Sequence, residues 1–236
     1  MTLGKVVFDF TDSHSGKHPR AFLGDYCGYF QADAANLYDS LFTAGNILEV
    51  GCWAHARRPY FKAKDTDPAQ AVEALAMIRV LYAIEAEARA LNLGHDDIRA
   101  LRQDKALPIL NDEIKPWVDE NIPKVLPASQ LGKALAYTSN HWDALVRYTE
   151  DGRLSIDNND VEREIRQLAI GRRNWLFFAG PEGPRTAMVL YTLVANCRLE
   201  GVDPFTYFND ILTRLPRLTG AELATLTPRR WKRLRP

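Results

Sequence analysis

The sequence has few cysteines, no long apolar run and no surplus of charge of either sign, and each shortage removes a class of protein. Cys27, Cys52 and Cys197 are too few, and odd in number, for a disulfide framework, so a reduced cytoplasmic setting is expected. No apolar stretch approaches the roughly 20 residues that cross a bilayer. The first residues lack the basic, apolar and small-residue order of a signal peptide, so no membrane partner is expected. With 30 basic and 30 acidic residues, the chain as a whole has no pull on a polyanion. Any nucleic-acid contact has to come from local clusters. One closes the chain: Arg229, Arg230, Lys232, Arg233 and Arg235, with no acid among them. Neither an internal repeat nor a low-complexity tract is present. What remains is 236 residues, 46% hydrophobic, enough for one large domain or a core domain with an inserted subdomain.

Strand and helix signals alternate over residues 1–64. Lys5–Phe10 is β-branched and aromatic and reads as a strand, followed by a polar turn over 11–16. A short helix is expected from Pro19 to Tyr26, a second strand over 29–32 with Asp33 at its end, a helix over 34–41 and a third strand over 47–50. This alternation argues for an α/β layer. From residue 65 to 150 apolar positions recur at helical spacing, with Ser129 as an N-cap and Gly152 as a stop, and the stretch reads as an all-helical insertion. The α/β pattern resumes over 151–216. Arg153–Ile156 is short and strand-like, and a helix runs from Asn159 to Ile170 and stops at Gly171. Trp175–Phe178 reads as extended, and helices follow over 185–200 and from Pro204 to Leu215. Residues 217–236 read as a basic C-terminal tail.

Two-metal phosphodiester chemistry needs carboxylates converging from distant parts of a chain. Asp33, at the end of a short strand, suits that role, and it suits a plain helix N-cap equally. Glu162 lies beside an apolar stripe of Val161, Ile165 and Leu168 that is expected to be buried. Its spacing from Asn159 is also that of a capping box, and its spacing from Arg166 that of an i,i+4 ion pair. Arg172, Arg173, Asn174 and Trp175 combine cations, an amide and an aromatic, as phosphate contact and base stacking require; a surface strand with a buried Trp fits the same residues. Cys52 and His55 are half of a zinc-like set, but no second close Cys/His pair completes it. A packed cysteine with a hydrogen-bonded histidine is the reading that follows.

Five segments in order, Gly16-Lys-His-Pro19, Gln31-Ala-Asp33, Cys52-Trp-Ala-His-Ala-Arg-Arg58, Asn158-Asn-x-x-Glu-Arg163 and Gly171-Arg-Arg-Asn-Trp175, resemble the transposases of the insertion-sequence sixty-six family. The resemblance runs to about Pro216. It implies an RNase H-like α/β fold, incomplete at the N-terminus, with a large all-helical insertion, and a DDE triad whose second and third acids are Asp33 and Glu162. It further implies Mg²⁺ or Mn²⁺ as cofactor and DNA, both element ends and target, as partner. Arg163, Arg166, Arg172, Arg173, Asn174 and Trp175 would lie along the DNA. It implies motif roles of unassigned character for Cys52, His55, Asn158 and Asn159, and a homo-oligomer or other transposition proteins as partners.

The resemblance departs at one point. The family's first Asp stands upstream of the segment aligned with Val6–Phe10, so Met1 falls inside the catalytic domain; Asp9 lies on what matches a later strand. Two functional expectations follow. One is metal-dependent DNA cleavage and strand transfer. The other is an inactive remnant that binds DNA or regulates intact transposase.

Overall fold

The computed structural model describes residues 4–43, 45–175, 178, 180 and 182–234. It is largely helical, with a small parallel sheet, and divides into two compact units. One is His14–Asn159; the other joins Met1–Ser13 to Asp160–Pro236.

The first unit opens with helix α1 (Lys17–Leu23), strand β1 (Gly28–Gln31), a 3-10 turn (Asn36–Tyr38), helix α2 (Asp39–Phe42) and strand β2 (Ile47–Val50). The strands pair in parallel, Gly28 opposite Ile47 and Gln31 opposite Val50. Helix α3 (Trp53–Ala63) leaves β2 through Gly51 and Cys52. Gly51 keeps this passage tight: a Cβ there would lie 3.0 Å from the Leu145 backbone nitrogen, a close contact that its neighbours would have to ease. Helix α4 (Pro68–Ala90) follows, with Pro68 in the first turn, where the absent N–H has no helical partner to lose. Helix α5 (His95–Leu101) continues through two π-helical stretches, Arg102–Ala106 and Ile109–Ile114, into α6 (Lys115–Asn121). Helix α7 (Gln130–Asn140) begins at Ser129, whose hydroxyl accepts from the Gly132 N–H at 2.9 Å, so the expected N-cap is observed. The expected single helix from there to Gly152 is broken at His141, and α8 (Trp142–Val146) resumes it.

A single core serves this whole unit. Val50, Trp53, Ala56 and Tyr60 pack with Ile78, Leu81, Leu110, Leu131, Leu135, Leu145 and Tyr148. The helical stretch over 65–150 therefore shares its interior with β2 and α3. Beneath it Arg102, 2% exposed, is held bidentately by Glu85 at 2.7 and 2.8 Å. Arg102 also donates to the carbonyls of Tyr148, Asp151 and Leu154, so one guanidinium anchors the turn after α8.

Helix α9 (Asn159–Trp175) leads into the second unit, which contains α10 (Gly183–Leu199), α11 (Pro204–Arg214), α12 (Gly220–Leu223) and α13 (Pro228–Arg233). The expected stop at Gly171 is not observed. The helix runs through it to Trp175, because Gly171 lacks the positive φ of a helix-ending glycine and an interior glycine costs only about 1 kcal/mol. Trp175 thus ends a helix rather than starting an extended segment; Leu176 and Phe177 lie outside the described residues. Gly201, at φ +63°, does end α10 as expected. The stretch read as a basic tail holds α12 and α13, and the Trp231 indole N–H donates to Asp210 at 2.8 Å.

Two expected strands are not formed. Residues 153–156 make turns and bends. Residues 5–10 pair with no strand among the described residues. The Val6 and Phe8 N–H groups donate instead to Asn196 Oδ1 (3.2 Å) and Thr192 Oγ1 (2.9 Å) of α10, and Asn196 returns a bond to the Val6 carbonyl. Four helical residues rise about 6 Å and two extended residues about 6.6 Å, so side chains four apart on a helix can substitute for a neighbouring strand.

Among the described residues no helix is long and apolar enough to cross a membrane.

Candidate functional site

In open α/β sheets, the crevice beyond the carboxyl ends of parallel strands is where ligands gather. Asp33 stands two residues beyond Gln31, the end of β1, and Cys52 two residues beyond Val50, the end of β2. Because Gln31 and Val50 are register partners, both residues leave the sheet at the same level. The Ala32 N–H, bonded to the Val50 carbonyl at 3.3 Å, extends the pairing to the residue before Asp33.

Asp33 is exposed and caps no helix: the 3-10 turn that follows has Ala35 as its cap, and α2 has Tyr38. Among the described residues its carboxylate makes no hydrogen bond or ion pair. Ala34 turns the chain immediately after it with φ at +59°, a conformation unfavourable for a side chain with a Cβ. Two tyrosines sense the charge. Burial, and then the Asp33 carboxylate, push the Tyr38 hydroxyl up. Burial, followed by Cys52 and Asp33, pushes Tyr137 up further. Both phenols stay protonated at neutral pH.

Beside Asp33 the strand ends are locked to the segment that opens α9. Gln31 donates from Nε2 to the Gly51 carbonyl (3.1 Å) and the Ser155 carbonyl (2.7 Å). The Trp53 N–H donates to Ile156 O at 3.0 Å. Fully buried Cys52 donates from its thiol to Asn158 Oδ1 at 3.0 Å, and its Sγ lies 3.2 Å from His55 Nδ1. Burial pushes the Cys52 thiol up, against the pull of the backbone N–H groups of Asn158, His55 and Ala54, so it stays S–H and donates. Asp157 accepts from the Tyr82 hydroxyl at 2.8 Å and from the Asn159 amide at 2.7 Å. The expectation of a packed cysteine with a bonded histidine matches this arrangement.

The structure thus brings together Cys52, His55, Asn158 and Asn159, and adds Gln31, Tyr82 and Asp157. From sequence, Tyr82 reads as a core-face position; the signal that marks it is a hydroxyl on a ring whose neighbours are buried, since such a hydroxyl needs a partner. Glu162, half-buried, lies in the first turn of α9, and it and Asp33 fall in different units. The apolar stripe beside Glu162 is not buried as expected: Val161 is 48% and Ile165 49% exposed, and they line an open groove of 440 Å³ with residues 5–9. An unfilled groove, rather than core, faces that side of α9. Arg163 is exposed and paired with Asp160 at 3.1 Å, and Arg166, Arg173 and Asn174 are exposed along the same helix. The side chains of Arg172 and Trp175 lie outside the described residues. Among the described residues no three His, Cys, Asp or Glu side chains are grouped as ligands of one ion.

Residues 3–186 match the family described as Transposase IS66 family, and residues 192–229 match the IS66 C-terminal element. The chain belongs to the IS66 transposase family. Relatives of this IS66 chain include three uncharacterized proteins of Sinorhizobium fredii (strain NBRC 101917 / NGR234). The protein y4hP is 28% identical over 97% of this chain and 44% of its own length. The protein y4qI is 31% identical over 96% and 43%, and y4jD 29% identical over 96% and 46%. The IS66 chain therefore spans less than half the length of the curated relatives it matches. No solved structure matches it.

Proposed function

We propose that this chain carries catalytic residues of a DDE transposase on an RNase H-like core, cleaving element-end DNA and joining it to target. The observation that carries the reading is an exposed carboxylate, Asp33, that caps nothing at the carboxyl end of a parallel strand pair, where Asp157–Asn159 leads into the helix bearing Glu162. Water attacks the phosphorus at the element end, a P–O bond forms, and the bond to the 3′-oxygen breaks to free a 3′-hydroxyl. That hydroxyl then attacks a phosphodiester of the target: a new P–O bond forms, the bond from that phosphorus to the target's 3′-oxygen breaks, and the target 3′-hydroxyl leaves carrying the proton.

In this reading Asp33 and Glu162 each give a carboxylate to Mg²⁺ or Mn²⁺. Hard oxygen donors suit either ion, which takes few protein groups and fills the rest with water and phosphate oxygens. When bound, such ions activate the attacking water and stabilise charge on the leaving oxygen. Tyr38 and Tyr137, kept protonated in the field of Asp33, would be available as donors to a water on its carboxylate. Arg163 and Arg166 would serve the scissile phosphate, and Arg172, Arg173, Asn174 and Trp175 would contact the strand beyond it. The Cys52–Asn158 bond is a positioning contact that fixes where α9 begins.

The test is Asp33→Ala and Glu162→Ala in a full-length family member carrying this sequence. Strand transfer falls below detection in both, while the melting temperature stays within a degree or two. Normal transfer by either variant rejects the assignment.

A further inference from the structure

Arg57 and Phe61 of α3 and Lys64, its C-cap, recur at i, i+4 and i+7. Phe61 is 54% exposed, with the Arg57 guanidinium 5.9 Å and the Lys64 ammonium 5.0 Å from its ring centre. On α4, Val72, Leu75, Ala76 and Arg79 form one face by the same periodicity. Between the two helices lies a cleft of 590 Å³, lined by Arg57, Lys64 and Arg79 together with Val72, Leu75 and Ala76, and with no acid among its lining residues. The carboxylate near its end, Asp157, is occupied by the Tyr82 hydroxyl and the Asn159 amide.

A cluster of cations is ordinarily a solvated surface. Some lysines of this unit have carboxylate partners, Lys105 with Glu87, Lys115 with Asp119 and Lys124 with Glu120, and others, such as Lys62 and Lys133, have none among the described residues, so the grouping around one cleft is what sets these cations apart. Among the described residues Arg57, Lys64 and Arg79 have none, and they surround a cleft that also exposes Val72 by 53%. Like charges around one apolar concavity disfavour each other until an anion with an apolar portion enters. A duplex keeps its bases stacked inside and offers such a cleft only phosphates. A single strand offers phosphates to the cations and bases to the apolar and aromatic side chains.

We propose that the α3–α4 cleft binds single-stranded DNA, with phosphates on Arg57, Lys64 and Arg79 and bases against Val72 and Leu75 within it and on Phe61 beside it, next to Arg57 and Lys64. This site rests on the reading of the chain as a DNA-processing protein, and its three cations are not among the residues that reading assigns to metal or DNA. The test is fluorescence anisotropy of the full chain with a labelled oligothymidylate of about 12 nucleotides and with a duplex of equal length, titrated against salt. The variants are Arg57→Ala/Lys64→Ala/Arg79→Ala together and, as a reference, Arg166→Ala. All four side chains are exposed, and circular dichroism checks the fold. The triple variant loses about tenfold or more in single-strand affinity, and its log-affinity against log-salt slope becomes shallower by about 2, the value for three phosphate contacts on a single strand. Duplex affinity changes less. Unchanged single-strand affinity and slope in the triple variant, with a loss in Arg166→Ala, overturns the cleft and leaves the DNA-processing reading standing. Failure of the unaltered chain to bind either DNA overturns both.

Discussion

Cys52 has no exposed surface and its thiol spends its proton on Asn158, whereas Cys27 lies in solvent and Cys197 is buried, with burial pushing its thiol up to about 11. Reactivity of a cysteine follows its thiolate fraction and its access. Ellman's reagent at pH 7.5 therefore labels one cysteine, Cys27, within minutes, and the other two only after unfolding. Rapid labelling of Cys52 would mean the Asn158 contact is not maintained. Removing the contact by Cys52→Ala orphans a partly buried amide oxygen and opens a small void, at a cost of about 1–3 kcal/mol in urea denaturation. Asp33 is the opposite case. It is exposed and bonds to nothing described, so Asp33→Asn changes stability by less than about 0.5 kcal/mol. As the metal ligand proposed above, Asp33 should be needed for activity and not for the fold. Sequence showed the position of Asp33 and left two roles open; the structure removes the N-cap role because Ala35 and Tyr38 occupy the caps.

At the level of elements, local signals were legible and distant partnerships were not. Ser129 announces α7 because its hydroxyl bonds three residues away. Lys5–Phe10 looks like a strand because its residue types do, yet its hydrogen-bond partners are Thr192 and Asn196, more than 180 residues on, and belong to a helix. Arg102 and Glu85 carry no sequence mark as a pair, being 17 residues apart on different helices. Their bond is nevertheless the most heavily committed polar contact in the first unit. Arg102→Met leaves Glu85 buried and three carbonyls without their donor, and destabilises by about 3–5 kcal/mol. The double variant Arg102→Met/Glu85→Leu recovers part of that loss, since an apolar pair strands no charge. Chemical denaturation of the two variants measures both numbers, and equal stability of Arg102→Met and the parent chain would show that the guanidinium carries no load.

For the whole molecule, the family was legible from five motifs in order, because reading motif order does not depend on knowing the contacts. The core of the first unit runs across residue 65, where Val50, Trp53 and Tyr60 pack with Leu81 and Leu135, a contact set that no local sequence signal marks. A fragment spanning 14–159 should consequently keep its helical circular dichroism and melt cooperatively, whereas a fragment of 65–150, deprived of α3 and β2, should not. A cooperative melt of the shorter fragment would show that its helices form a core without them.

The central claim is that the acids at 33 and 162 hold the same ions, and iron-directed cleavage measures it most directly. Fe²⁺ substituted at a magnesium site, with ascorbate and peroxide, cuts the polypeptide beside its ligands. In the presence of element-end DNA, the account predicts cuts next to both Asp33 and Glu162, suppressed together by excess Mg²⁺ and lost together in Asp33→Asn. Cutting beside one acid alone, or cuts at Glu162 that persist in Asp33→Asn, would contradict it.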